Sequence, residues 1–284
     1  MKANLGASLC GPSGCAGIRL RAGPALRGLK FNLLSIESVE ERYKYAAPSA
    51  SSGLSAFYSS KDLNEYSVTM GDSEQMAEAA GLRSIAIVTC STRPTRIGHL
   101  LSQHIISQLS SSLSSSGNDN KLQISSIDLA SHPLPLYDEP GIPGHFPAAD
   151  PTPCYAHAQA RAWSTEIRKH SAFVFVTPQY NWGYPAAIKN AIDYLFHEWS
   201  GKPALVVSYG NHKGTKAALQ LIEVCKGVRM KPLERSVGYS IIVNEVGSVR
   251  EKGEFGVERK EAWRSEGSDA ELVKEFQELV TMLQ

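Results

Sequence analysis

The chain has 284 residues, 42% of them hydrophobic, and a formal net charge of +1. That length allows one or two domains with a sizeable core, while the near-neutral charge gives no field for nucleic acid or an anionic membrane surface. No apolar run reaches the ~18 residues that span a bilayer, and the scattered cysteines (Cys10, Cys15, Cys90, Cys154, Cys225) form no C-x-x-C pair, which argues against a zinc or disulfide framework and for a reducing compartment.

Residues 1–80 differ from the rest. Up to Ile36 the charged residues are Lys2, Arg19, Arg21, Arg27 and Lys30, with no acid among them, amid abundant Ser, Ala and Gly. This reads as a disordered extension or a mitochondrial targeting segment, with Met70 as an alternative start. Two locations follow: the cytoplasm, or the mitochondrion if the segment is a presequence.

The pattern changes at Leu82. Ile85 to Val88 is a short apolar run and predicts the first strand. Ile97, Leu100, Leu101 and Ile105 recur at helical spacing. Ser110 to Ser116, followed by Gly117 and Asn118, reads as a surface connection. Leu122 to Ile127 predicts the second strand, and a Pro-rich loop from His132 to Pro147 follows. A helix is expected from about Pro153 to Lys169 and a third strand over Phe173–Val176. Ile188, Ala191, Ile192 and Leu195 line the next helix, with Pro185 near its start. Ala204–Val207, Thr215–Val228 and Val237–Val243 read as strand, helix and fifth strand. Residues 244–267 read as a charged loop. The last helix then begins with Ser268 and Glu271 spaced as a capping box, and Leu272, Phe276, Leu279 and Leu283 form a stripe that docks it.

Strands that are apolar throughout and alternate with helices predict a parallel sheet covered on both faces. The expectation is a doubly wound α/β domain of about 165 residues over 81–243, with 244–284 as a loop and a docked helix. Ligands in such sheets bind beyond the C-terminal strand ends, where three loops are unusual.

The first is "CSTRPTRIGH", Cys90 to His99. A helix N-terminus favours an anion, Ser91, Thr92 and Thr95 add hydroxyls, and Arg93 and Arg96 add guanidiniums suited to phosphate. The chain has no G-x-G-x-x-G, and "GNHKGTK", Gly210 to Lys216, resembles a P-loop only superficially, one residue short. A mononucleotide phosphate fits better than a dinucleotide or a nucleoside triphosphate. The second loop, "TPQYNWGYP", offers the π-faces of Tyr180 and Trp182 beside the polar groups of Gln179, Asn181 and Gly183, which together suit a flat, partly polar ring. Core packing of the aromatics is the competing reading. The third loop, Ser208 to Thr215, has Gly210 and Gly214 where backbone can approach a ring edge. His99, His104 and His212 read as surface or core residues.

These residues resemble the NADPH-dependent FMN reductase family, of flavodoxin-like fold. The family's first loop reads G-S-x-R, often extended as GSTRPGRVG; here it is "CSTRPTRIG". Its P-x-Y-N…K-N-A-I-D signature appears as Pro178, Tyr180 and Asn181, then Lys189 to Asp193, and "LPLYDEP" also looks like the family. Cys90 and Thr95 depart from the usual glycines; Cys90 is either a buried structural residue or a thiol activated by the helix N-terminus.

The resemblance implies a five-stranded sheet and a bound FMN. Its phosphate would be held by Ser91, Arg93, Ile97 and Gly98, with Thr92 and Arg96 beside them. Pro178, Gln179, Tyr180, Asn181, Trp182 and Gly183 would line the ring, and Ser208, Tyr209 and Gly210 would close its other side. It implies a homodimer or homotetramer that reduces a small acceptor with NADPH or NADH by a ping-pong mechanism. No side chain need act as acid or base, because the cofactor carries the chemistry. Two rivals stay open: an electron-carrying or redox-sensing flavoprotein, and a phosphate-binding domain without flavin.

Overall fold

Runs of β-branched and aromatic residues build the sheet, and the helices between them are divided over its two faces. A computed structural model describes residues 83–116 and 122–283, all within one compact unit. Residues 1–80 and the surface connection expected at Gly117 and Asn118 lie outside the described residues.

In chain order the elements are β1 (Arg83–Thr89), α1 (Gly98–Ser116), β2 (Leu122–Asp128), α2 (Ala158–Arg168), β3 (Ala172–Pro178), α3 (Ala186–Asp193), β4 (Pro203–Gly210), α4 (Thr215–Gly227), β5 (Lys231–Pro232), β6 (Val237–Ser240), α5 (Val246–Lys252), α6 (Val257–Ser265) and α7 (Ser268–Thr281). The strand order is β2-β1-β3-β4-β5, with β6 also on β4 and every pairing parallel. This is the doubly wound α/β sheet that the sequence predicts.

Alternate residues of each strand feed two cores. Ile85, Ile87, Val174, Val176, Leu205 and Val207 pack with α1 and α7. Ala86, Val88, Phe173, Phe175, Ala204 and Val206 pack with α2, α3 and α4. No helix among the described residues is long and apolar enough to cross a membrane.

Several boundaries differ from the sequence reading. The serine-rich stretch continues α1 to Ser116. Leu109 is fully buried and Leu113 packs against the same core, so the apolar stripe runs on beneath the serines. Ser111 and Ser114 donate their hydroxyls back to the carbonyls of Ser107 and Ser110, four residues earlier. Residues 244–267 hold α5 and α6 rather than a loop, because Val249, Phe255 and Trp263 are buried beneath a charged exterior. Helix α2 starts at Ala158, after a 3₁₀ turn at Thr152–Cys154.

The fifth strand is short and in two pieces. Lys231 and Pro232 pair with the start of β4, and Val237–Ser240 with its end. The capping box does not form: Gly267 is the N-cap of α7, at φ +78°, and Ser268 Oγ instead donates to the Gly238 carbonyl at 2.8 Å. The helix still docks, through buried Leu272, Phe276 and Leu279. Asp269 accepts from Tyr239 Oη and pairs with His104 Nε2, both at 2.9 Å.

Lys202 gives the fold a pH signature. Its Nζ donates to the Ile167 carbonyl at the end of α2 and lies over the Phe173 ring. Burial pushes its pKa down from 10.5 to about 8, against the pull of Glu198. A lysine depressed on folding costs stability below the folded pKa, and the cost fades as pH rises towards the unfolded value. Lys202→Met removes it. The stability of wild type relative to Lys202→Met should therefore rise between pH 8 and 10, by up to about 1.4 kcal/mol per pH unit. Urea midpoints of both proteins across that range test this; a gap independent of pH would refute it.

Candidate functional site

Neighbouring strands β1 and β3 send their following helices to opposite faces: α1 joins one core and α3 the other. In a doubly wound sheet the point where the winding reverses is where a ligand crevice is expected. The loops after β1, β3 and β4 meet there.

The first loop is anchored by the Cys90 N–H, which donates to the Val176 carbonyl on β3 at 3.0 Å. Ser91 is fully buried, and its hydroxyl makes no hydrogen bond of good geometry within the protein, the Tyr209 phenol being the polar neighbour it influences. An unpaired buried hydroxyl is costly, so this atom is available to a ligand. Gly98, the first residue of α1, makes the room: a Cβ there would lie 2.3 Å from Ser91 Oγ and 2.6 Å from Tyr209 Oη. At the head of helix α1 the Leu100 and Leu101 N–H groups donate to the Ile97 carbonyl, and the Gly98 N–H before them has no acceptor within the helix. Arg96 braces the loop by donating to the Ser91 carbonyl at 3.1 Å and pairing with Asp128 at the end of β2. Its charge is thus partly committed within the protein, whereas Arg93 is exposed and Thr92 lies beside it at the surface. Ile97 contributes its side chain to the core.

The second loop is a two-residue hairpin. Tyr180 and Gly183 exchange backbone hydrogen bonds of 2.8 and 2.9 Å. Asn181 and Trp182 between them take φ of +48° and +69°, the geometry of a type I′ turn. The Arg93 guanidinium lies 4.6 Å from the centroid of the Tyr180 ring, so a cation–π contact joins this loop to the first. Pro178 is buried at the strand end. Gln179 turns inward to the protein: its Oε1 accepts from the N–H groups of Lys216 and Ala217, capping α4, and its own N–H donates to the Tyr209 carbonyl. Trp182 is 68% exposed, with Lys216 Nζ 3.3 Å from its ring centroid.

The third loop is closed by Ser208, whose hydroxyl donates to the Lys213 carbonyl at 2.7 Å. Gly214 sits at φ +70°, where a Cβ would come within 2.9 Å of the Tyr209 backbone, so the turn needs glycine. Tyr209 is buried, and that burial raises the pKa of its phenol and keeps it a neutral hydroxyl. Gly210 lies beside Gln179 at the paired ends of β3 and β4, and a Cβ on it would stand 4.0 Å from Gln179 Cβ.

The structure thus brings Ser91, Gly98 and Tyr209 together on one side and Arg93 and Tyr180 on the other. Asn181 and Trp182 stand at the exposed mouth. Cys90 is not an activated thiol: it is fully buried, 3.4 Å from the Val88 carbonyl, and burial followed by the nearby Cys225 pushes its pKa well up. His104 is locked between Asp269, Tyr239 and Trp263, and His212 is an exposed turn residue. Lys189 and Asp193 form an i,i+4 pair at 2.6 Å. Sequence reading missed Lys216, Gln220 and Asp128, which act from other elements. Only the position of Lys216 at the head of a predicted helix placed it near the crevice.

Residues 83–241 match the family model described as NADPH-dependent FMN reductase. The NAD(P)H-dependent FMN reductase LOT6 of Saccharomyces cerevisiae is 54% identical over 114 residues, 39% of this chain and 58% of that protein. The NAD(P)H-dependent FMN reductase C4B3.06c of Schizosaccharomyces pombe is 48% identical over 105 residues, 37% and 50%. The similarity thus spans about half the length of these two relatives. The NAD(P)H-dependent FMN reductase ntnL of a Nectria species is 29% identical over 205 residues, covering 71% of this chain and 98% of its own.

Proposed function

The chain belongs to the NADPH-dependent FMN reductase family, and from that premise we propose that it binds FMN and carries electrons from NAD(P)H to a small acceptor such as a quinone, a free flavin or an azo compound. The observation that carries this reading is the Ser91 hydroxyl, buried and unpartnered at the head of α1. A phosphate oxygen would complete it. Ser91, Arg93 and the Gly98 N–H at the head of α1 would hold that phosphate, with Thr92 at its surface side and Arg96 fixing the loop.

FMN, when bound, supplies a ring that accepts hydride from the nicotinamide and delivers electrons onward. The protein's work is positioning. Tyr180, Asn181 and Gly183 offer a rigid hairpin to the ring, the Tyr209–Gly210 backbone closes the other side, and Tyr209 supplies a neutral hydroxyl. In this scheme donor and acceptor use one crevice in turn, which is ping-pong turnover, and no side chain transfers a proton at the reacting atoms. The proposal includes a homodimer or homotetramer and a cytoplasmic location, with the mitochondrion as the alternative. The free thiols Cys90, Cys154 and Cys225 suit a reducing compartment.

The test is to purify the protein, add FMN and titrate NADPH without air, following flavin absorbance. Bleaching supports the reductase. FMN that binds but stays oxidised would leave a carrier, and no FMN binding would end the flavoprotein reading. Arg93→Ala should weaken FMN binding by about tenfold or more, as expected for a charge-assisted contact. Unchanged affinity in fluorescence titration would remove Arg93 from the phosphate site.

A further inference from the structure

The rim of the crevice carries more positive charge than one flavin phosphate uses. Arg96 is paired with Asp128, Lys189 with Asp193, and Lys213 with Glu266 at 3.2 Å. Among the described residues, Arg93 and Lys216 have no carboxylate partner. Arg93 belongs to the phosphate loop. Lys216 is left over.

Lys216 is nevertheless held in place. Its Nζ lies 3.3 Å from the centroid of the Trp182 ring. That indole is presented at a conformational cost, because Trp182 sits at φ +69° in a turn position that favours glycine. The ring remains 68% exposed, so burial does little to offset the strain. Gln220 Nε2 donates to the Trp182 carbonyl at 3.1 Å and helps to fix the turn. A bulky residue in a strained position at the mouth of a site points to a function for its side chain. The function visible here is to keep an ammonium at the rim. The helix terminus itself is not on offer, since Gln179 already caps the Lys216 and Ala217 N–H groups.

We infer that Lys216, held on Trp182, selects NADPH over NADH by pairing with the ribose phosphate that only NADPH carries. The inference rests on the reductase reading and deepens it. Both donors deliver the same hydride, so a group that distinguishes them must meet the extra phosphate. Lys216 is the uncommitted cation at the mouth where a second nucleotide enters. FMN brings a single phosphate, which the first loop accommodates.

The experiment uses the full chain reconstituted with FMN, mixed rapidly and anaerobically with NADPH or NADH. Wild type should be reduced more efficiently by NADPH. Lys216→Met should lower the NADPH-to-NADH ratio of the second-order rate constants for flavin reduction by about tenfold, through weaker binding of NADPH. Lys216→Arg should retain most of the ratio. Trp182→Gly should lower it several-fold with the lysine still present, and high salt should erode it in wild type. Equal use of both donors by wild type, or an unchanged ratio in Lys216→Met, would overturn the selection by Lys216 while leaving the reductase standing. Failure of both donors to reduce bound FMN would overturn both readings.

Discussion

Gly98→Val should cost the protein its flavin. The new Cβ would sit 2.3 Å from Ser91 Oγ and 2.6 Å from Tyr209 Oη, with Thr89 Cγ2 at 3.4 Å. All three neighbours are buried. Ser91 could rotate, but only by abandoning the position that makes its hydroxyl available, and the Tyr209 ring is fixed in the core beside α1. The side chain would also fill the space at the head of the helix where we propose that the phosphate binds. We expect FMN affinity to fall by about 100-fold, on the order of 2.7 kcal/mol, with a further stability loss of about 1–3 kcal/mol from overpacking. Fluorescence titration reads the first and urea unfolding the second. A folded variant that binds FMN like wild type would mean that the phosphate does not lie against Ser91.

Trp199→Ala should bring the largest loss of stability. Trp199 is fully buried, edge-on to Phe173 at 5.0 Å, and packs near Phe175 and Trp163. Its Nε1 donates to the Ile192 carbonyl at 3.2 Å, tying it to the end of α3. Emptying this volume should cost about 3–5 kcal/mol, or roughly 6–20 °C in melting temperature for a domain of this size. Helix α3 supports the Tyr180–Gly183 hairpin, so FMN affinity should fall as well. Trp199→Phe should recover part of both. A melting temperature within about 2 °C of wild type would show that the cluster repacks without the indole.

Much of the fold was legible because the sheet is buried on both faces. Phe173–Val176 and Ala204–Val207 are apolar without interruption and have no soluble alternative. The three site loops were legible because each breaks such a run with glycine, hydroxyl or aromatic residues at a strand end. The C-terminal part was harder to read. In α6, Trp263 is fully buried and Arg259 nearly so, amid charge, and Arg259 forms a forked pair with Glu245 that sequence spacing does not announce. The tail of α1 was hidden by serines, although Ile105, Leu109 and Leu113 keep a four-residue spacing. Within the site, Arg96 and Gln179 read as ligand groups by type. Their side chains bond to Asp128 and to the head of α4 instead, and such partners are set by tertiary geometry. Trp182 read as a ring-facing aromatic, and its stack with Lys216 depends on a helix more than thirty residues later.

The two-piece fifth strand bears on how copies of this protein can associate. An unbroken outer strand would present a row of free N–H and C=O groups, a ready template for another chain to add to the sheet. Here the row lasts only two residues in β5, one of them Pro232 with no N–H to give, and then lapses before Val237. Strand addition from a neighbour would find no continuous ladder on that side. An association on that side must therefore be built from helices and loops, which leaves the seven residues of β2 as the regular outer edge of the sheet among the described residues.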